Sequence, residues 1–308
     1  MPIAVQLPTP APFNLEATVR VLQRRPSNLV DVWQGDHYVR VLEVDERPIL
    51  VEVENRGTLD KPDVRYRTRG DEPSAAVTAN LRRILGLDVD PASLRFPVPI
   101  DGALRTAVVA LRGMRPPVFA NLFESFLNVI PFQQLSLDAG VAIIGRLIQR
   151  FGRPVEHGGR QYHASAGARA IAAARLQQLR TCGLSRAKAE TLRNLARMIE
   201  ARDLREEEIS RMTSQQALHA LMELPGIGPW SAALVLLRGF GRLDVFPPGD
   251  AGAARGLGTL MRLDRHTSID RAVEPFGDRR GYLYFCGLGA SLLTRGLIRS
   301  APPGQRSR

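Results

Sequence analysis

The stretch that most restricts this 308-residue chain is Leu224-Pro225-Gly226-Ile227-Gly228-Pro229-Trp230-Ser231-Ala232-Ala233. An apolar segment, Ala217–Leu224, reads as a helix before it, and a second helix begins near Trp230. Two glycines one residue apart allow positive φ and leave no side chain between a ligand and the backbone. The N–H groups of Gly226, Gly228 and the following turn can then converge on an anion at the second helix N-terminus, where the Ser231 hydroxyl can join them. The same letters also describe an ordinary tight turn, and a bare Gly-x-Gly leans that way. The apolar residue ahead of the loop, the helix behind it and basic surroundings favour a turn that grips a nucleic-acid phosphate without reading sequence.

Those surroundings are basic in one part of the chain only. Overall there are 42 Lys and Arg against 31 Asp and Glu, a formal net charge of +11. Residues 1–100 hold 13 cations and 14 carboxylates, net −1, and residues 101–308 hold 29 and 17, net +12. A polyanion is therefore attracted by the C-terminal two-thirds. Only Lys61 and Lys188 are lysines, and the other 40 cations are arginines. An Arg-for-Lys bias follows from genomic base composition as readily as from function, so the segregation of charge carries the argument. No apolar run approaches the roughly 18 residues of a membrane span, and the N-terminus shows no signal pattern. Cys182 and Cys286 are too few for a disulfide scaffold or a four-cysteine cluster. The five histidines have no metal-ligand spacing and are expected at structural or surface positions. These features predict an intracellular, cytoplasmic protein.

The pattern predicts an α+β chain. Residues 1–95 read as a strand-rich domain, 96–300 as a helical region and 301–308 as a frayed tail. Tyr38–Val44 and Pro48–Val53 flank the turn Asp45-Glu46-Arg47 as a hairpin, with Glu16–Leu22 as a third strand and Val64–Thr68 as a fourth. Pro73 opens a helix with Val77, Leu81, Ile84 and Leu85 on one face. Asn121 and Glu124 form a capping box, and Ser136 caps a helix that Gly152 and Pro154 end. Further helices start near Ser185, Glu206 and Ser214, and the last runs from about Tyr282 to Ile298.

Downstream of the hairpin, Pro247-Pro248-Gly249 delivers Asp250 to the start of a new helix. Alone, an aspartate there is an N-cap. With the hairpin it resembles the helix–hairpin–helix DNA glycosylase superfamily, whose signature is a hairpin, Gly/Pro-rich residues and one essential Asp. The resemblance covers roughly residues 110–300, and the strand-rich start makes the 3-methyladenine DNA glycosylase II (AlkA-like) type the closest. It implies two helical subdomains around a cleft, preceded by a small antiparallel α/β domain. It implies base flipping in double-stranded DNA and hydrolysis of the N-glycosidic bond of alkylated purines, with Asp250 as the catalytic carboxylate. Phe132-Gln133-Gln134-Leu135-Ser136 resembles the Gln-containing loop that enters the minor groove, so Gln133 and Gln134 join Gly226, Gly228 and Ser231 as expected DNA contacts. Trp230, Tyr282 and Leu234 are expected at the base pocket, although Leu234, Ala251 and Leu288 stand where some relatives carry aromatic rings. Tyr284 and Asp244 are weaker candidates, with a packing and a turn role as their alternatives.

Bifunctional members carry a lysine at the hairpin for a Schiff base, and here that position is Trp230, so a monofunctional enzyme is implied. No redox cofactor or catalytic metal is implied. A structural Na or K ion would map to the carbonyls of Met222, Leu224 and Ile227. A monomer acting at the nucleoid is expected. A non-catalytic lesion sensor, or a glycosylase for deaminated or oxidised bases, is compatible with the same residues.

Overall fold

The fold, taken from a computed structural model, is described for residues 4–70, 73–264 and 266–302. Of the expected tail, residues 303–308 lie outside the described residues. The chain starts with β1 (Val5–Gln6) and then α1 (Leu15–Gln23). Helix α1 replaces the expected strand over Glu16–Leu22. Asn14 caps it by accepting from the Ala17 N–H at 2.9 Å, and Glu16 lies in its first turn. Ala17, Val19 and Val21 alternate and mimic a strand, but Leu15, Val19 and Leu22 follow the helical period and enter one core. Ala17 and Val21 enter another, so both faces of the helix are buried.

Strands β2 (Val32–Gln34), β3 (His37–Val44), β4 (Arg47–Asn55) and β5 (Val64–Arg69) follow. With β1 they form one antiparallel sheet in the order β1-β5-β4-β3-β2. The expected hairpin has the register Tyr38↔Val53 to Val44↔Arg47. Helix α2 (Ala75–Ile84), capped by Ser74, places Val77, Leu81 and Ile84 with Tyr38, Leu42 and α1. The other face of the sheet presents Val39, Val41 and Leu50 to a second hairpin, β6 (Pro154–His157) and β7 (Arg160–His163), through Tyr162. That hairpin lies within the stretch expected to be helical. The strand-rich and helical parts are therefore packed together from both sides.

The helical part comprises α3 (Gly102–Ala110), α4 (Leu122–Leu127), α5 (Leu137–Phe151), α6 (Ala168–Ala173), α7 (Leu176–Thr181), α8 (Arg186–Glu200) and α9 (Glu206–Arg211). It continues with α10 (Ser214–Met222), α11 (Pro229–Gly239), α12 (Ala251–Leu260), α13 (Ile269–Val273) and α14 (Arg280–Thr294). A core of Phe126, Leu147, Leu192, Leu221, Val235 and their neighbours holds α4, α5, α8, α10 and α11 around the hairpin. Helix α14 packs on α1 through Phe285 and Cys286 against Ala17 and Val21. Among the described residues no helix is long and apolar enough to cross a membrane.

The capping box at α4 forms by half. The Asn121 side chain accepts from the Glu124 N–H at 2.8 Å, but the Glu124 carboxylate turns away to Arg40 Nη2 at 2.5 Å. Arg40 Nη1 also donates to Asp31 at 2.6 Å, and the three side chains are 2–4 % exposed. Burial pushes the Glu124 carboxyl up, while Arg40 pulls it back down. Arg40 projects from the same face of β3 as Tyr38 and Leu42, so this ion triad pins the sheet to α4. Removing one partner of such a triad leaves an uncompensated buried charge. Glu124→Ala should cost about 3–5 kcal/mol of unfolding free energy. Urea denaturation checks this, and the apolar or neutral triple change Asp31→Asn, Arg40→Met, Glu124→Gln should recover most of the loss.

Candidate active site

The hairpin turn between α10 and α11 has the geometry its glycines suggest. Gly226 adopts φ +84°, and a Cβ there would lie 2.2 Å from the Thr191 hydroxyl oxygen of α8. Gly228 caps α11, and Pro229 occupies its first turn, where a missing N–H costs nothing. The Ile227 N–H is used within the turn, donating to the Leu224 carbonyl at 3.0 Å.

Two of the expected DNA contacts face inward instead. Ser231 is 2 % exposed, and its hydroxyl accepts from Gln133 Nε2 at 2.9 Å. The same Gln133 amide nitrogen donates to the Gly226 carbonyl at 2.9 Å. Gln133 thus ties its loop to the hairpin, because its amide satisfies an oxygen on each side of the junction. Lys188 holds the loop from α8, donating to the carbonyls of Pro131 at 3.1 Å and Gln133 at 2.5 Å. Burial lowers the pKa of this amine. Gln134, at φ +56°, is exposed beyond the clamp. Leu135 beside it is 45 % exposed. The sequence reading passed over Leu135, although an apolar residue between Gln134 and the cap Ser136 was a visible signal.

Asp250 is 8 % exposed and serves two neighbours, one with each oxygen. Oδ1 accepts from the Ala253 N–H at 2.7 Å, which makes Asp250 the N-cap of α12. Oδ2 accepts from the indole Nε1 of Trp230 at 2.8 Å. The N-cap alternative and the site assignment therefore concern different oxygens of one carboxylate. Gly249, at φ +65°, turns the chain, and its N–H points to the Asp270 carboxylate at 3.3 Å. Asp244 has its own structural partner, accepting from the Ser214 hydroxyl at 3.0 Å.

Of the expected pocket residues only Trp230 is next to Asp250. Tyr282 is buried on the opposite side of α14, where its hydroxyl donates to the Met114 carbonyl at 3.0 Å and its ring packs on Phe96. Tyr284 lies two residues on, about 200° around the helix, and the Asp250 charge acts on its phenol. Leu234 is 2 % exposed and belongs to the central core, so it lines no pocket. The walls near the carboxylate are Trp230, Tyr284 and Phe132, with Phe132 and Trp230 packed in one cluster. A groove of about 1100 Å³ elsewhere, lined by Glu43, Arg153, Arg169 and Glu207 among others, contains neither Trp230 nor Asp250. Among the described residues no His, Cys, Asp and Glu cluster could hold a metal ion.

Residues 127–274 match the family described as HhH-GPD superfamily base excision DNA repair protein, and residues 4–121 match the AlkA N-terminal domain. The chain is 31 % identical over 189 residues to the Mycobacterium tuberculosis protein named "Probable bifunctional transcriptional activator/DNA repair enzyme AlkA". That match covers 59 % of this chain and 36 % of the relative, so the chain spans about a third of that protein's length. It is 28 % identical over 251 residues to DNA-3-methyladenine glycosylase 2 of Escherichia coli, covering 78 % of this chain and 82 % of that one. The solved 3-methyladenine DNA-glycosylase of Archaeoglobus fulgidus superposes with a TM-score of 0.77 at 25 % identity, over 94 % of this chain and 99 % of that chain. With both of its parts matched in this order, the chain belongs to the AlkA-like type of the helix–hairpin–helix superfamily of base excision DNA repair proteins.

Proposed function

We propose that the protein is a monofunctional DNA glycosylase that hydrolyses the N-glycosidic bond of alkylated purines of the 3-methyladenine type in double-stranded DNA. The observation that carries this reading is the Asp250 carboxylate held between the Ala253 and Trp230 N–H groups, one turn from the phosphate-gripping hairpin. A base inside a duplex is out of reach, so the nucleotide swings out and a side chain takes its place in the stack. Gln134 and Leu135 are the exposed residues at the tip of the clamped loop, and Leu135 has the apolar surface that stacking against bases rewards. The hairpin backbone at Gly226 and Gly228 grips the phosphate nearby.

The bond breaks between the sugar C1′ and the purine nitrogen. The electron pair leaves with the base, and positive charge builds on the sugar. Asp250 faces that charge, and its two fixed donors leave it little freedom to reorganise as the charge appears. A water oxygen then bonds to C1′, its proton passing to Asp250 or solvent, and an abasic sugar results. An alkylated purine is already cationic and departs neutral, so the second carboxylate that glycoside hydrolases use to protonate a leaving oxygen is not required. Strand cleavage through a Schiff base would need an amine at the hairpin. Trp230 has none, and Lys188 is engaged with two carbonyls. Met222 ends α10, where carbonyls lack helical partners. With Leu224 and Ile227 it offers neutral oxygens suited to a Na or K ion, whose charge would strengthen the grip on a phosphate.

Base release from methylated duplex DNA, with the freed bases identified by mass, tests the reading. Asp250→Asn should lower the single-turnover rate by about 10²–10³ while duplex binding persists, and equal rates would remove Asp250 from its role. Trp230→Phe keeps the ring and deletes one donor to the carboxylate, so a loss of about tenfold is expected for a charge-assisted hydrogen bond. Leu135→Ala should weaken binding to lesion-containing duplex more than to undamaged duplex in a fluorescence-anisotropy titration.

A further inference from the structure

Arg24 follows α1 in the N-terminal part of the chain, yet its guanidinium belongs to the site. The residue adopts φ +60°, ψ −39°, a backbone conformation that is costly for anything but glycine. It is 6 % exposed, and its Nη2 has no hydrogen-bond acceptor among the described residues. The guanidinium carbon lies 4.9 Å from the Phe132 ring centre and 5.7 Å from that of Phe119. Phe132 in turn packs in one cluster with Trp230, the residue bonded to Asp250. Phe119 also faces Arg238, at 4.8 Å, and Arg238 interacts with Tyr284. Two chains of contacts from Arg24 thus end on the walls around the carboxylate. Burial lowers the Arg24 pKa, and Tyr284, Asp250 and Asp31 pull it back up. A crevice on the far side of Arg24, between Gln23, Asn28 and Asn128, has about 10 Å³ of space. That is room for roughly one water and not for a base.

A strained, buried cation with an unused donor has a specific use in this chemistry. A cationic alkylpurine departs as a neutral molecule and needs no help from a positive charge. A neutral purine carries the bonding electron pair away as an anion, and a guanidinium beside it stabilises that anion in the transition state. We propose that Arg24 is a leaving-group residue that contacts the flipped base through Nη2 and extends the reaction to neutral purines with a carbonyl acceptor, such as hypoxanthine. Asp250 then answers the positive charge on the sugar, and Arg24 answers the negative charge on the base. The atoms balance as before: C1′–N breaks with its pair going to the purine, the water oxygen bonds to C1′, and the water proton neutralises the departed base.

This inference rests on the glycosylase reading, and one set of measurements separates the two. Single-turnover release of hypoxanthine and of 7-methylguanine is measured from matched duplexes for wild type, Arg24→Met, Arg24→Gln and Arg24→Lys. In Arg24→Met the hypoxanthine-to-7-methylguanine ratio should fall at least about tenfold. Arg24→Gln, which keeps a donor without charge, should fall between Arg24→Met and wild type, and Arg24→Lys should retain most of the ratio. A partly folded preparation lowers both rates together, so the ratio from one sample remains informative. Equal losses on both substrates in Arg24→Met, or an unchanged ratio, would overturn the role of Arg24. Wild-type release of 7-methylguanine without hypoxanthine would overturn it as well and leave the glycosylase reading standing. Release of neither base would overturn both.

Discussion

The hydrogen bond from the Trp230 indole to Asp250 Oδ2 joins two segments that the chain forms separately, the hairpin and the Pro-Pro-Gly turn. Each is rigid for local reasons. Gly226 can adopt its φ where a Cβ would collide with Thr191, and Pro247 and Pro248 restrict the approach to Asp250. Neither segment alone constrains the distance between a gripped phosphate and the carboxylate. The indole N–H bridges them at 2.8 Å, and the Ala253 N–H fixes the other oxygen. A glycosylase needs that distance held, because the sugar it attacks is covalently attached to the phosphate it grips.

The same hairpin supports the loop that would enter the stack. Gln133 bonds to the Gly226 carbonyl and the Ser231 hydroxyl, and Lys188 holds two carbonyls from the opposite side. Phosphate grip, carboxylate and wedge are thereby referenced to one turn of backbone. The N-terminal sheet is held by the Arg40 triad to α4, so Arg24 reaches the site from a rigid base. The near-neutral charge of this part has a structural counterpart. Arg67 and Arg69 of β5 pair with Glu54 and Glu52 of β4, so the sheet's cations are balanced within the sheet.

Legibility of the sequence varied with the range of the interaction that decides each feature. The β3–β4 hairpin, α2, α5 and the glycine turn were readable because alternation, capping residues and glycines act over a few positions. The segment Glu16–Leu22 was misread because Ala17, Val19 and Val21 alternate, while burial of α1 on two faces blurred its helical period. The capping box at Asn121 was half right for a similar reason. A partner 84 residues away, Arg40, outcompeted the local return bond of Glu124. At the site, Trp230 and Asp250 were found as letters, whereas Tyr282 and Tyr284 were two positions apart and only the packing of α14 tells which ring faces the carboxylate.

By itself the sequence determined the phosphate-gripping turn, the aspartate that starts α12, the absence of an amine at the hairpin and the segregation of positive charge. All of these depend on residue identity and on spacing over a few residues. Tertiary structure decided that Asp250 bonds to Trp230, that Gln133 and Ser231 face each other and not solvent, and that Arg24 arrives from the N-terminal part. These are contacts between segments far apart in the chain. They are set by how the helices and the sheet pack, and no local pattern encodes that.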